Sequence, residues 1–139
     1  LPSLNSNIAK MASQMHLPYT ICFDEKFNCL ISHLGNKISA KTLSSGQRKK
    51  TDFIIIIALI RLMKLRYPEL NLLFLDELLS SVDSGGRHEI LKILRETVQE
   101  SELNAWVINH SELPMELFDR KGVAYFDGGF SELDIEYLN

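Results

Sequence analysis

Apolar residues divide this chain into short, readable segments. Leu4, Ile8, Met11 and Met15 recur at steps of four, three and four, which puts them on one face of a helix. That spacing suits a coiled-coil seam and equally a core-facing helix. No start signal of the usual kind precedes it, so the helix is expected to continue something longer. After Pro18, Tyr19 to Phe23 and Asn28 to Ser32 read as a β-hairpin, and Gly35-Asn36 makes a further turn before Lys37 to Ala40. The run Phe53 to Met63 contains four consecutive isoleucines, which favour a strand by propensity. From Gln47 to Arg66, however, there is neither Gly nor Pro, and charges mark both ends, so the segment is expected to be a buried helix.

Pro68 closes that helix. Leu72-Leu73-Phe74-Leu75 then suits a strand buried on both faces, as in a parallel sheet, with Asp76 and Glu77 at its end. Ser84 to Glu100 carries Ile90, Leu94 and Val98 on one face of a second long helix. Ala105 to Ile108 is the next strand, ending in Asn109-His110; a short helix from Leu113 to Phe118 and a strand from Val123 to Phe126 complete a β, α, β, α, β order. Such alternation implies an α/β core with right-handed crossovers.

The chain has 139 residues, enough for one domain with a real core, and its apolar and charged fractions are ordinary for a globular protein. The longest apolar run is too short to span a bilayer, and no basic start followed by an apolar block is present, so a cytoplasmic location and no membrane partner are expected. Charge is unevenly spread within the net −3. Lys26, Lys37, Lys41, Arg48, Lys49 and Lys50 occur in a stretch without a single acid, whereas acids dominate after Ser101. Such a basic stretch is usually a solvated face, but it permits contact with phosphates, and Arg48, Lys49 and Lys50 are the residues expected to meet nucleic acid if any do. Cys22 and Cys29 flank the hairpin turn and can sit opposite each other as reduced thiols; with His16 and His33 they form no recognisable zinc spacing.

Chemistry concentrates in three places. Leu43-Ser44-Ser45-Gly46-Gln47 stands before the long helix, where a hydroxyl can cap the unpaired N–H groups and those N–H groups can face an anion; an ordinary cap is the simpler reading of these residues taken alone. In an open parallel sheet, ligands sit beyond the carboxyl ends of the strands, and two strands here end in polar groups: Asp76 and Glu77 on one, His110 on the other. One carboxylate can hold a hydrated magnesium ion while its neighbour takes a proton from water, and a histidine one strand over can touch a terminal phosphate. Taken singly, an Asp-Glu pair is usually a solvated turn and a lone histidine is usually structural.

Together these residues resemble ABC-type ATPases. Leu43 to Gln47 looks like the signature motif, Leu72 to Glu77 like the Walker B strand, Ser80-Ser81-Val82-Asp83 like the D-loop, and Asn109-His110 like the switch histidine. The intervals fit: thirty positions from Gly46 to Asp76, seven on to Asp83, and thirty-four from Asp76 to His110. Transporter subunits usually carry proline where this chain has Leu78. The lead-in helix and hairpin look more like the C-terminal half of a coiled-coil head. That half is similar to SbcC-type DNA-repair ATPases and their phage recombination-endonuclease relatives, and next to structural-maintenance-of-chromosomes proteins. Ser45 replaces the first signature glycine and Gln47 the usual glutamate.

The resemblance implies the C-terminal lobe of a P-loop NTPase head: 1–17 the end of a coiled-coil or lobe helix, 18–42 a hairpin lead-in, 43–139 the motif-bearing core. It implies that Ser44, Ser45, Gly46 and Gln47 contact ATP held by an opposite subunit, that Asp83 helps join the subunits, that Asp76 organises magnesium through water, that Glu77 polarises the attacking water, and that His110 senses the γ-phosphate. No glycine here begins the Gly-x-x-x-x-Gly-Lys loop that wraps nucleotide phosphates. The expected partners are therefore an N-terminal lobe carrying that loop, a second copy across the ATP site, a nuclease subunit and DNA. The chain alone is expected to be inactive, and a stand-alone lobe that binds and regulates an intact ATPase is the alternative.

Overall fold

The computed structural model describes residues 1–138. Helix α1 (Pro2–Gln14) begins with proline in its first turn, where the missing N–H costs nothing, and turns Leu4, Ile8, Met11 and Ala12 inward. Three short antiparallel strands follow, β1 (Thr20–Phe23), β2 (Cys29–His33) and β3 (Asn36–Ile38). The Asn5 side chain donates to the Phe23 carbonyl at 2.9 Å and accepts from the Phe23 N–H at 2.8 Å, so the helix satisfies backbone groups on the edge of β1. The expected hairpin is present, and its register opposes Cys22 to Leu30 and Phe23 to Cys29. The two cysteines are thus one step out of opposition and, because side chains alternate along a strand, do not share a face.

Helix α2 (Ser45–Arg66) resolves the isoleucine run: Phe53, Ile54, Ile57 and Ala58 are fully buried, while Ile55 and Ile56 are only partly covered. A strand would have buried alternate residues; the observed grouping is that of a helix. It packs against α1 and α3 (Ser84–Ser101), whose Ile90, Leu91, Ile93 and Leu94 complete the core.

Between these helices β4 (Leu72–Asp76) pairs in parallel with β5 (Asn104–Ile108), Asp76 opposite Ile108. Leu75 is buried, and Leu73, Ala105 and Val107 pack on the core. The other face is open: Leu72, Phe74 and Ile108 are about half exposed (51%, 59% and 48%), and Phe74 stacks on Trp106 with centroids 6.3 Å apart. The parallel pairing is as expected, but burial on both faces is not observed.

The expected helix over Leu113 to Phe118 is a single 3-10 turn, Met115–Leu117. The strand expected at Val123 to Phe126 exists within β6 (Arg120–Asp127), yet it does not join the parallel sheet. It pairs antiparallel with β7 (Phe130–Tyr137), a strand not anticipated from the sequence. Gly128 and Gly129, at φ +56° and +91°, make the two-residue turn that reverses the chain, a conformation glycine adopts without strain. No helix among the described residues is long and apolar enough to cross a membrane.

Candidate functional site

The start of α2 is built by a reciprocal cap. Ser44 Oγ accepts from the Gln47 N–H at 3.2 Å, and Gln47 Oε1 accepts from the Ser44 N–H at 3.0 Å. Gln47 therefore does the capping that a glutamate would do at this position. The Ser44 hydroxyl proton stays available, and among the described residues the N–H groups of Ser45 and Gly46 have no acceptor, so three donors remain at the positive end of a 22-residue helix.

Gly46 is fixed by close approach. A Cβ on it would lie 3.0 Å from the Ser81 carbonyl oxygen and 4.0 Å from Val82 Cα. The helix start is thereby seated on the turn 80–83, in which Ser81 holds a left-handed φ of +66°. Asp83 ends that turn by capping α3, its carboxylate accepting from the Gly86 N–H at 3.2 Å. Ser44 to Gln47, Ser81 and Asp83 line one hollow of about 360 Å³, together with Met15 to Pro18 and Lys50.

A second cluster sits at the carboxyl ends of the parallel strands. Asp76 is the last residue of β4, exposed, and among the described residues its carboxylate has no hydrogen-bond partner. Glu77 follows in a left-handed conformation, φ +52°, held by its N–H to the Ile108 carbonyl at 3.0 Å. Its own carbonyl accepts from the Ser80 hydroxyl at 2.7 Å and from Lys49 Nζ at 3.2 Å. This aims Glu77 Oε1 at His110 Nε2, 3.4 Å away, although the oxygen is shielded from solvent and lacks a well-formed hydrogen bond. His110 itself is 91% exposed. A carboxylate oxygen left unsatisfied beside an accessible imidazole suits a group that completes its bonding with a ligand.

The structure thus gathers the sequence-predicted residues into two groups: Ser44, Ser45, Gly46, Gln47 and Asp83 around the hollow, and Asp76, Glu77 and His110 at the strand ends. The basic triplet is divided. Lys49 is tied to Glu77, Lys50 forms an ion pair with Glu89 at 3.0 Å, and Arg48 alone stays exposed and unpaired among the described residues. Lys50 also packs under α3, where a Cβ on Gly86 would come within 2.6 Å of its Cε. Sequence reasoning missed Lys49 as a support for Glu77, and missed Arg87 and Ser111, which brace the loop around His110. Nothing local in the sequence marks these contacts, since their partners are 24 to 28 positions away.

Magnesium would fit the second group on chemical grounds. Asp76 presents an uncommitted carboxylate suited to a hydrated hard cation, and Glu77, the following residue, has an unsatisfied oxygen. Among the described residues no cluster of three or more His, Cys, Asp or Glu side chains forms a complete cage. Any such ion would rely on water and substrate oxygens for most of its shell.

No protein-family model matches the chain. In sequence it is 30% identical over 88 residues to the probable exonuclease subunit 2 of Escherichia phage T5, a match covering 63% of this chain and 14% of that protein. In structure it is similar to the SMC head domain of Thermotoga maritima, with a TM-score of 0.72 and 17% identity over 99% of this chain and 49% of that one. A Pyrococcus furiosus Smc head, solved with an extended coiled coil and the C-terminal domain of ScpA, gives 0.76 at 12% identity, covering 99% and 35%. A chain from work on ATP-driven dimerization and DNA-stimulated activation of SMC ATPases gives 0.74 at 12%, covering 99% and 85%.

The fold is therefore that of SMC ATPase heads. The expected likeness to SMC and SbcC-type heads is met at the level of the fold, and the likeness to the phage exonuclease subunit is consistent with it.

Proposed function

We propose that this chain is the C-terminal lobe of an ATP-hydrolysing head in a coiled-coil DNA-repair or recombination ATPase that works with a nuclease. The observation that carries the reading is the placement of Glu77 against His110 at the carboxyl ends of β4 and β5, with Asp76 the residue immediately before Glu77. The SMC-head fold and the likeness to a phage exonuclease subunit support it.

In this reading the lobe serves two nucleotides. Asp76 would hold magnesium through water, and the chemistry supplied there would be neutralisation of phosphate charge. Glu77 accepts a hydrogen bond from the attacking water and takes its proton as the water adds to the γ-phosphorus and the bond from that phosphorus to the bridging oxygen breaks, releasing ADP and phosphate. His110, on its exposed loop, donates to a γ-phosphate oxygen. The Ser44 hydroxyl and the N–H groups of Ser45 and Gly46 face the γ-phosphate of a nucleotide carried by a second head, with Asp83 at the junction. The loop that wraps each nucleotide comes from an N-terminal lobe.

The open face of the β4–β5 pair supports a missing lobe. Parallel sheets are covered on both faces in stable proteins, and here Leu72, Phe74, Trp106 and Ile108 are not. Each is already about half covered, so burying the remainder is worth about 1 kcal/mol per side chain. The DNA contact expected of Arg48, Lys49 and Lys50 now rests on Arg48, since both lysines are engaged within the chain.

Glu77→Gln tests the reading. In the assembled head it is expected to lower ATP turnover by about 10²–10⁴-fold, the range for loss of a general base, while an ATP-held dimer persists. Hydrolysis at the unaltered rate would remove Glu77 from the chemistry.

A further inference from the structure

Arg87 makes a contact that the functional reading leaves unused. It lies in the first turn and a half of α3, half-buried, and among the described residues it forms no ion pair. Its guanidinium spends its donors on neutral acceptors in two different loops. Nε donates to the Val82 carbonyl at 2.8 Å, immediately before Asp83. Nη1 donates to Ser111 Oγ at 3.1 Å and, at a longer 3.4 Å, to the Glu112 carbonyl, immediately after His110. Asn109 closes the same loop from the other side, its amide donating to Ser111 Oγ at 2.6 Å and to the Ser111 carbonyl at 3.1 Å.

His110 therefore rides on a short loop whose two flanks, Asn109 and Ser111, are fastened to each other and then to Arg87. The other end of the Arg87 fork holds the 80–83 turn, which already carries Ser81 at a positive φ. A planar fork can span two loops with fixed geometry; a lysine ammonium offers one point of attachment on a flexible stem.

We propose that Arg87 is a positioning residue, a strut that ties the Asp83 turn to the His110 loop so that displacement of one is felt at the other. A group docking at Asp83 would in this way adjust where His110 stands relative to Glu77. The strut is a property of the chain itself; its consequence for turnover rests on the reading above.

Hydrogen exchange by mass spectrometry tests the strut without reference to ATP. Asp83→Ala removes the α3 cap and loosens the turn. With Arg87 present, exchange in residues 109–112 should then rise about fivefold, within the range by which coupled positions modulate one another. In Arg87→Lys or Arg87→Met chains the same loop should exchange faster from the outset, and adding Asp83→Ala should change it by less than about twofold. The lysine variant keeps the charge and serves if the methionine variant does not fold. An unchanged 109–112 loop in Asp83→Ala, or a rise that survives replacement of Arg87, overturns the proposal.

In the assembled ATPase, Arg87→Lys should lower kcat about tenfold and leave KM for ATP within about twofold, because Arg87 aligns a group without touching nucleotide. Intact kcat alongside demonstrated coupling would remove the catalytic consequence and leave the strut. An unaltered rate of ATP hydrolysis in Glu77→Gln would instead count against the ATPase reading.

Discussion

Single residues in this chain hold more than one duty, and Gly46 shows why its identity matters. In the sequence it marks a motif; in the structure it also lets the first turn of α2 rest on the Ser81 carbonyl. Gly46→Ala would place a methyl carbon 3.0 Å from a backbone oxygen, and backbone on both sides must yield. The expected cost is about 1–2 kcal/mol of stability, as for other small overpackings, measured as a lower urea midpoint at unchanged slope. An unchanged midpoint would mean the 80–83 turn yields freely. Lys49 and Lys50 make the complementary point. A basic run in sequence suggests a surface, but their ammonium groups are spent on Glu77 and Glu89, partners that only the folded chain brings within reach.

Among the elements, those with strong local signals were legible. The two long helices, the parallel pair and the first hairpin lie close to where periodicity and punctuation put them. The 53–63 run was decided correctly by length and breakers against propensity. The second hairpin was half missed, although its signal is present. Asp127-Gly128-Gly129 is a turn, and Leu133, Ile135 and Tyr137 alternate with Glu132, Asp134 and Glu136. Assigning β6 to the parallel sheet hid that alternation. The first hairpin carries a pH signature. Asp24 accepts from Asn28 Nδ2 and from the N–H groups of Asn28 and Lys26, all at 2.9 Å, and the Asn28 bonds chiefly hold its carboxyl below the usual aspartate value. A depressed folded value means that the stabilisation is present above the unfolded value of about 4 and is lost as pH falls through the lower, folded one. The protection of the amides in residues 24–28, measured as exchange relative to the intrinsic rate at each pH, should fall on acidification below about pH 4 and lose that pH dependence in Asp24→Asn. A pH-independent turn in the parent chain would contradict the assignment.

At the scale of the whole molecule, the intervals between Gly46, Asp76, Asp83 and His110 reflect a helix and a strand, a turn, and a second helix and strand of fixed lengths. What spacing could not reveal is which residues brace the site, nor that one face of the parallel pair stays bare. Both depend on contacts between distant segments. The bare face, the unsatisfied oxygen of Glu77 and the free donors at the start of α2 are three separate deficits, and one assembly would supply all of them.

The most direct test is to mix this chain with a purified N-terminal lobe that carries the phosphate-wrapping loop and measure ATP hydrolysis with and without magnesium. The account predicts magnesium-dependent turnover in the mixture, absent from either lobe alone and abolished by Glu77→Gln. A stable complex of the two lobes that hydrolyses no ATP would contradict it and favour a regulatory lobe, as would hydrolysis that proceeds equally well without this chain.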